Sequence, residues 1–153
     1  MFFFILTGLF FIGCQKSASH LSEAEKNEIT KQIEAIHNEI SQAFNEHDVA
    51  KILSFIDQNE DLHYVEHTHV TIGWDTLKKG LEEWHPVNQN LSGKSNYFYV
   101  NVLSKDIAVL VSSGVIYREN IAFLNMTYTA VFQRKENGWK IVNAHEAFSE
   151  IEH

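Results

Sequence analysis

Cysteine and proline are nearly absent from this chain. Cys14 is the only cysteine and Pro86 the only proline among 153 residues. A single cysteine excludes a disulfide within the chain, so the fold must rest on an ordinary hydrophobic core. After residue 13 the sequence also has no further hydrophobic run long enough to span a membrane, which takes roughly 20 apolar residues.

Positive charge is scarce as well. The chain has 12 Lys and Arg residues against 20 Asp and Glu, which gives a net charge of −8 at pH 7. This balance argues against a nucleic-acid partner and against binding to acidic lipid by charge. No cofactor is expected.

No metal site is expected either. His63, His67 and His69 alternate along the segment of the two short predicted strands and share a face there. Alternation separates such side chains by roughly 6 to 7 Å per step. Zinc instead needs three or four ligands that converge at about 2 Å.

The first 13 residues are apolar and uncharged. This length is typical of the apolar region of a secretory signal. The run ends at Gly13-Cys14, a small residue followed by cysteine, which resembles the lipobox of bacterial lipoproteins. The resemblance implies a signal peptide over 1–13, a lipidated Cys14 and a tether over 14–21. The protein would then be anchored in the cell envelope, outside the cytoplasmic membrane. The alternatives are a non-lipidated signal or a buried N-terminal helix.

Residues 22–150 are predicted to form one domain that begins with helices. Ser22 and Glu25 have the spacing of a capping box, and isoleucines at helical spacing predict a helix over 23–46. Asp48 starts a second short helix. Asp75 is expected to cap a third helix, which Pro86 ends.

The remaining segments predict strands. Two short strands are predicted at 62–65 and 70–72, and a loop at 87–95. Long strands are predicted at 97–103, 107–118, 121–135 and 139–149. Helices precede long antiparallel strands, so the class is α+β. We expect a curved antiparallel sheet wrapped around about three helices, with a pocket between them.

Three short segments carry a family resemblance. They are the helix junction 45–49, the triplet Gly73-Trp74-Asp75, and the end of the chain from Gly138-Trp139 to Ala144-His145. In this layout the chain resembles the nuclear transport factor 2-like (NTF2-like) superfamily, in its SnoaL-like branch. The resemblance implies a cone-shaped, cystatin-like roll. It does not set a function, because the fold hosts enzymes, ligand binders and assembly modules.

The last strand supplies the candidate catalytic residue. Strict alternation puts Asn143 and His145 on the same face as Trp139 and Ile141, which should face the core. His145 would then point into the pocket, where a histidine can act as a general base near neutral pH. His67 is the second candidate base. The alternative for His145 is a buried histidine bonded to a neighbour.

Aromatic and polar residues are predicted to line the pocket. The predicted pocket residues are His63, Tyr64, Trp84, Tyr97, Tyr99, Tyr128, Thr129 and Asn143. Three functions remain open. One is a module that binds a small apolar ligand or a partner protein. Another is a small enzyme of the isomerase, cyclase or dehydratase kind with a histidine base. The third is a purely structural or assembly domain. Ketosteroid-type isomerisation is disfavoured, because His67 and Ile40 stand where that branch has its aspartate base and its tyrosine.

The long strands are apolar on both faces, which predicts a homodimer through the sheet. One face would cover the pocket, while the other would pack on a second copy. Val142, Ala144 and Phe148 are expected on this outer face.

Overall fold

The computed structural model describes residues 21–151, which form three α-helices and one six-stranded sheet. The elements in chain order are α1 (Glu23–Glu46), α2 (Val49–Ser54), β1 (His63–Glu66), β2 (His69–Ile72), α3 (Trp74–Trp84), β3 (Leu91–Val102), β4 (Ile107–Arg118), β5 (Ile121–Lys135) and β6 (Gly138–Glu150). The predicted α+β class and the order of helices and strands are confirmed. The expected signal and Cys14 lie outside the described residues. Within 21–151, no helix is long and apolar enough to cross a membrane.

Helix α1 begins with the predicted capping box. The backbone N–H of Glu25 donates to the Ser22 hydroxyl at 3.2 Å, and the Ser22 N–H donates to the Glu25 carboxylate at 2.9 Å. These bonds, together with Lys105, lower the pKa of Glu25 to about 2. The box satisfies backbone donors that the first helical turn leaves free.

Two side chains join α1 to the sheet. The Asn45 amide donates to the Gly93 carbonyl at 3.0 Å and accepts from the Gly93 N–H at 2.7 Å. Nearer the start of the helix, the Trp139 indole N–H donates to the Gln32 side chain at 2.9 Å. The helix is therefore held against both β3 and β6.

Two boundaries differ from the sequence prediction. Helix α3 is capped by Gly73 at φ 85°, without a side-chain hydrogen bond, and Asp75 lies inside the first turn. Strand β3 begins at Leu91, so the predicted loop over 87–95 is shorter. Leu91 is buried and pairs with Arg118, and this burial explains the earlier start of the strand.

The strand order in the sheet is β2-β1-β6-β5-β4-β3. All neighbouring strands are antiparallel except β1 and β6, which run parallel. The curved, mainly antiparallel sheet agrees with the predicted fold class, and β1 with β6 is its parallel pair. Helix α3 and four strands separate β1 from β6 along the chain, so no tight hairpin forces them to be antiparallel.

The core lies between the helices and the concave face of the sheet. At one end of the sheet this face is fully buried, with Ala108, Phe132 and Ile141 at its centre. At the other end, Leu124, Met126 and Phe148 are only half-buried. The helices therefore close one end of the cone and leave the other end open.

Candidate functional site

A β-bulge at Val142 decides which side chains of β6 face the helices. Phe132 pairs with Ile141, whereas the preceding residue Val131 pairs with Asn143, so Val142 is an extra residue in β6. Such an insertion reverses the alternation of the following residues. Ala144 is accordingly buried, while Asn143 is exposed.

The bulge overturns the predicted orientation of the last strand. His145 and Asn143 lie on the convex face, away from the helices, whereas Glu146 and Phe148 lie on the concave face. The expected outward orientation of Ala144 and Phe148 is wrong for the same reason. Beyond Val142, the strand turns its other side inward.

The predicted pocket residues are divided between the two faces of the sheet. The convex face carries His63, Tyr97, Tyr99, Thr129, Asn143 and His145. The concave face carries Tyr64 and Tyr128, which pack against the core. A second bulge, at Asn96, turns Tyr97 and Tyr99 outward. The convex residues stay predictions as functional groups, but they cannot share a pocket with Tyr64 and Tyr128.

Trp84 and His67, the other two predicted site residues, lie on neither the convex nor the concave face of the sheet. Trp84 is exposed at the end of α3, where its ring lies 5.1 Å from that of His85. His67 occupies the turn between β1 and β2 at φ 51°. Its ring contacts Phe148 with 5.3 Å between centroids, and its backbone N–H donates to the Glu146 carbonyl. His67 therefore borders the open end of the concave face.

A polar row crosses the concave face near this open end. Ser112, Tyr128, Glu146 and Glu66 are successive register partners on β4, β5, β6 and β1. Directly opposed residues have their Cβ atoms about 5 Å apart, so these four side chains are neighbours across the sheet. Tyr64 precedes Glu66 by two residues on β1 and shares its face.

Burial makes Glu146 an unusual carboxyl group. It raises the pKa of this group to about 7, and the neighbouring charge of Glu66 adds to the rise. The Tyr64 hydroxyl lowers the pKa of Glu146, because its hydrogen bond stabilises the ionised carboxylate. None of the ion pairs between side chains in residues 21–151 includes Glu146 or Glu66. No ion pair among the described residues therefore compensates the negative charge of Glu146 when it is ionised.

The two tyrosines stay protonated beside this carboxyl. Burial raises the pKa of the Tyr64 phenol well above its usual value, and the charge of Glu146 adds to this. The same two causes raise the pKa of Tyr128. Both phenols therefore remain hydrogen-bond donors, with aromatic rings that form part of the apolar wall.

The inner end of the row lies under α1. Ser112 is 1% exposed, and its hydroxyl has no hydrogen-bond partner within the described residues. His37 of α1 is buried nearby, with Nε2 3.3 Å from the Ser95 hydroxyl and its ring 5.4 Å from that of Phe98. Burial lowers the pKa of His37, which favours the neutral imidazole.

The helices also carry a surface groove and a pair of histidines. A groove of about 570 Å³ lies between α2 and α3, beside Leu53, Trp74 and Lys78, and is open to solvent. His47 and His85 have their rings 5.8 Å apart. Within 21–151, no three His, Cys, Asp or Glu side chains are placed to hold a metal ion. Neither the groove nor the pair of His47 and His85 combines a buried charge with an apolar wall, as the polar row on the concave face does.

Sequence reasoning missed Glu146, Ser112 and His37. Glu146 was hidden because alternation from Trp139 assigns it to the outer face, and no residue type at Val142 marks a bulge. His37 had a usable signal. It lies four residues after Ile33 and seven before Phe44, in the apolar stripe of the predicted helix.

Comparison with known proteins places the fold and the family. A family model for the SnoaL-like domain matches residues 33–149. No curated protein matches the chain by sequence. Among solved structures, a cystatin-like fold protein from Burkholderia xenovorans is 19% identical with a TM-score of 0.70, and the match covers 84% of this chain and 97% of that one.

Two other bacterial structures show the same fold. A proposed dehydratase of the NTF2-like family from Streptomyces avermitilis is 15% identical, with a TM-score of 0.71, over 84% of this chain and 99% of that one. An NTF2-like protein of unknown function from Shewanella oneidensis is 18% identical, with a TM-score of 0.66, over 76% and 97%. At these identities the likeness shows the fold alone. Because the family model covers most of its length, this chain belongs to the family of SnoaL-like domains.

Proposed function

We propose that this SnoaL-like domain binds a small molecule with an apolar body on the open part of the concave face. The observation that carries the proposal is Glu146, a largely buried carboxyl group between two protonated tyrosines, with no ion-pair partner among the described residues. Binding sites commonly combine an apolar wall with a few converging polar groups. Here Met126 and Phe148 supply apolar surface, and Glu146 with Tyr64 and Tyr128 supplies the polar groups.

Half-burial of these residues supports access for a ligand. Leu124, Met126, Tyr128 and Phe148 are all half-buried, whereas Leu110 and Ala130 farther along the sheet are fully buried. A ligand at the open end would cover apolar surface that the helices leave in water, at about 25 cal/mol per Å². The free energy gained by covering this apolar surface offsets the cost of removing a polar group of the ligand from water next to Glu146.

A screen of small metabolites by thermal denaturation, followed by NMR mapping, tests this proposal. We expect ligands that raise the melting temperature and shift the resonances of Tyr64, Tyr128 and Phe148. The Tyr128→Phe variant should weaken binding, whereas Lys78→Ala, in the groove between α2 and α3, should leave it unchanged. Resonance shifts confined to Trp74 and Lys78 would contradict the proposal, since they would place the ligand in that groove.

A second candidate function is acid–base catalysis at the same site. A carboxyl group with a pKa near 7 is suited to act as general base, and the two phenols could stabilise a developing negative charge. The proposed dehydratase from Streptomyces avermitilis shares the fold, although not at an identity that transfers activity. Uptake of solvent deuterium at an acidic C–H of a bound ligand, lost in Glu146→Gln, would establish catalysis. Binding without such exchange would restrict the domain to binding.

We further propose that the domain is displayed on a membrane from a lipidated Cys14. The uncharged apolar run over 1–13 and the Gly13-Cys14 step support this. Acyl chains would provide the attachment, since a net charge of −8 disfavours binding to acidic lipid. The ligand would then be one that is present in the cell envelope.

A further inference from the structure

The charges around the concave row indicate what kind of polar group its ligand carries. Glu146 and Glu66 are register partners in the parallel pair of β6 and β1, so their side chains leave the sheet on the same side. The Lys and Arg residues in 21–151 that form ion pairs do so with acidic groups on helices and turns, such as Lys51 with Glu39 and Lys135 with Asp57. Two carboxylates thus face one opening, and no Lys or Arg among the described residues pairs with either. The imidazole of His67 borders the same opening through its contact with Phe148.

An anionic ligand group is disfavoured at this opening. A second negative charge within about 5 Å of a half-buried carboxylate is repelled by several kcal/mol at the dielectric of a protein surface. A neutral acceptor, such as a carbonyl, could bond to the phenols of Tyr64 and Tyr128 but would leave both carboxylates unpaired. A cation would compensate the charge of Glu146 and bond to it directly.

The aromatic rings around the carboxylates also suit a cation. Tyr64 and Tyr128 flank Glu146, and Phe148 lies two residues farther along the same face of β6. Cations are attracted to the faces of such rings. The buried Ser112 hydroxyl, which has no partner among the described residues, lies farther along the same row and can accept or donate one more bond.

We infer that the concave site binds a protonated amine with an apolar body, whose ammonium group pairs with Glu146 and is attracted by Glu66. The inference rests on the proposed binding function and names the class of its ligand. The ammonium group would pair with Glu146, which has no ion-pair partner among the described residues. The apolar body of the ligand would lie against Met126 and Phe148. The groove between α2 and α3 lacks this pairing, because its acidic residue Glu82 already lies 3.9 Å from Lys78.

Three probes with the same phenyl group test the inference by calorimetric titration of the purified protein. They are 2-phenylethylamine, 2-phenylethanol and 3-phenylpropanoate, which carry a positive, a neutral and a negative group. We expect the amine to bind at least tenfold more tightly than the alcohol, and the carboxylate to bind most weakly. The Glu146→Gln variant should remove the preference for the amine and leave alcohol binding nearly unchanged.

The affinity for the amine should also follow the ionisation of Glu146. With a carboxyl pKa of about 7, the ionised fraction rises about tenfold between pH 6 and pH 8, while the amine stays protonated. Amine affinity should rise by the same factor in the unaltered protein but not in Glu146→Gln. The Glu66→Gln variant changes an exposed side chain that the fold does not need, and it should weaken amine binding about threefold.

The outcomes separate this inference from the proposed function. Equal affinity for amine and alcohol, or a preference for the carboxylate, would overturn the amine inference while a binding site remained. The same holds if the preference for the amine persists in Glu146→Gln. If neither these probes nor any metabolite in the wider screen binds the concave face, both the inference and the proposed function are wrong.

Discussion

Tyr128 on β5 and Glu146 on β6 are direct partners in the antiparallel register, with both side chains on the concave face of the sheet. Burial and the charge of Glu146 both raise the pKa of the Tyr128 phenol. Burial and the charge of Glu66 raise the pKa of the Glu146 carboxyl group to about 7. Near neutral pH, Glu146 therefore carries a largely buried negative charge that no ion pair among the described residues compensates. Such perturbed groups are found more often at functional sites than elsewhere.

The first prediction concerns stability and pH. Because the folded-state pKa of Glu146, about 7, lies above its ordinary value of 4.5, the folded protein binds more protons than the unfolded chain between these values. The contribution of Glu146 to the free energy of unfolding should therefore fall by about 3 kcal/mol as the pH rises from 4.5 to above 7. The lowered pKa of His37 acts in the opposite direction over part of this range. Urea unfolding at pH 4.5, 6 and 8 measures this change.

Two variants isolate the contribution of Glu146. The fall with pH should be smaller in Glu146→Gln by about the same amount, because glutamine does not titrate. The Glu136→Gln variant changes an exposed residue in the turn between β5 and β6 and should keep the full dependence. A pH profile that is identical in the protein and in Glu146→Gln would show that this carboxyl titrates normally.

Much of the fold follows from local signals that the sequence displays. Ser22 and Glu25 specify the start of α1, and turn residues such as Asn137-Gly138 separate the long strands. The face of a strand beyond a bulge does not follow from such signals. Val142 is an ordinary β-branched residue, and its status as an extra residue depends on the pairing of β6 with β5.

The candidate site was therefore predicted only in part. Tyr64 and Tyr128 lie on strands or strand segments where the alternation is undisturbed, and the structure brings both to the concave face. His145 and Asn143 follow the bulge, and their predicted orientation is wrong. The prediction placed the site on the correct strand, β6, but chose the wrong residues for its concave face. Glu146 lies on this face, where His145 was expected.

The second prediction concerns Gly114 on β4, where β3 approaches beside its bulge at Asn96. A Cβ atom at Gly114 would lie 2.4 Å from the Lys94 carbonyl oxygen, a contact that only a shift of backbone can relieve. We expect Gly114→Ala to lower the free energy of unfolding by about 1 to 3 kcal/mol. The matched control is Gly80→Ala in α3, where nothing lies within 4 Å.

The control substitution should change the free energy of unfolding in the opposite direction. Alanine in a helix is favoured over glycine by about 0.5 to 1 kcal/mol, so Gly80→Ala should stabilise the protein. Denaturant unfolding of both variants measures the difference. Equal effects of the two substitutions would mean that the close approach at Lys94 is relieved without cost.

The third prediction tests the anchor. In a bacterial host, the Cys14→Ala variant should lose incorporation of labelled palmitate and move from the membrane fraction to the soluble fraction. Because Cys14 is the only cysteine, no other thiol in the chain can take up the label. Labelling that persists in Cys14→Ala, or an unaltered protein that is never labelled, would contradict lipidation at this residue.

The last prediction concerns the convex face, which we propose joins two copies of the chain. Its central positions on β3 to β6 carry no Asp, Glu, Lys or Arg, and Tyr99 and Val111 are 56% and 41% exposed there. Four strands about 40 Å long, spaced by about 4.8 Å, offer roughly 800 Å². This equals the area that each partner buries in a standard stable interface, about 800 Å².

Light scattering coupled to size-exclusion chromatography measures the assembly. We expect a dimer at micromolar concentration for the unaltered protein and a monomer for Val111→Lys, because the lysine would bring an unpaired charge into the centre of the interface. Val87→Lys is the matched control, since Val87 is 77% exposed in the short turn after α3 and lies off the sheet. A monomer of the unaltered protein would rule out the dimer. A dimer that dissociates only in Val87→Lys would place the interface on the helical side, where it would compete with the opening to Glu146.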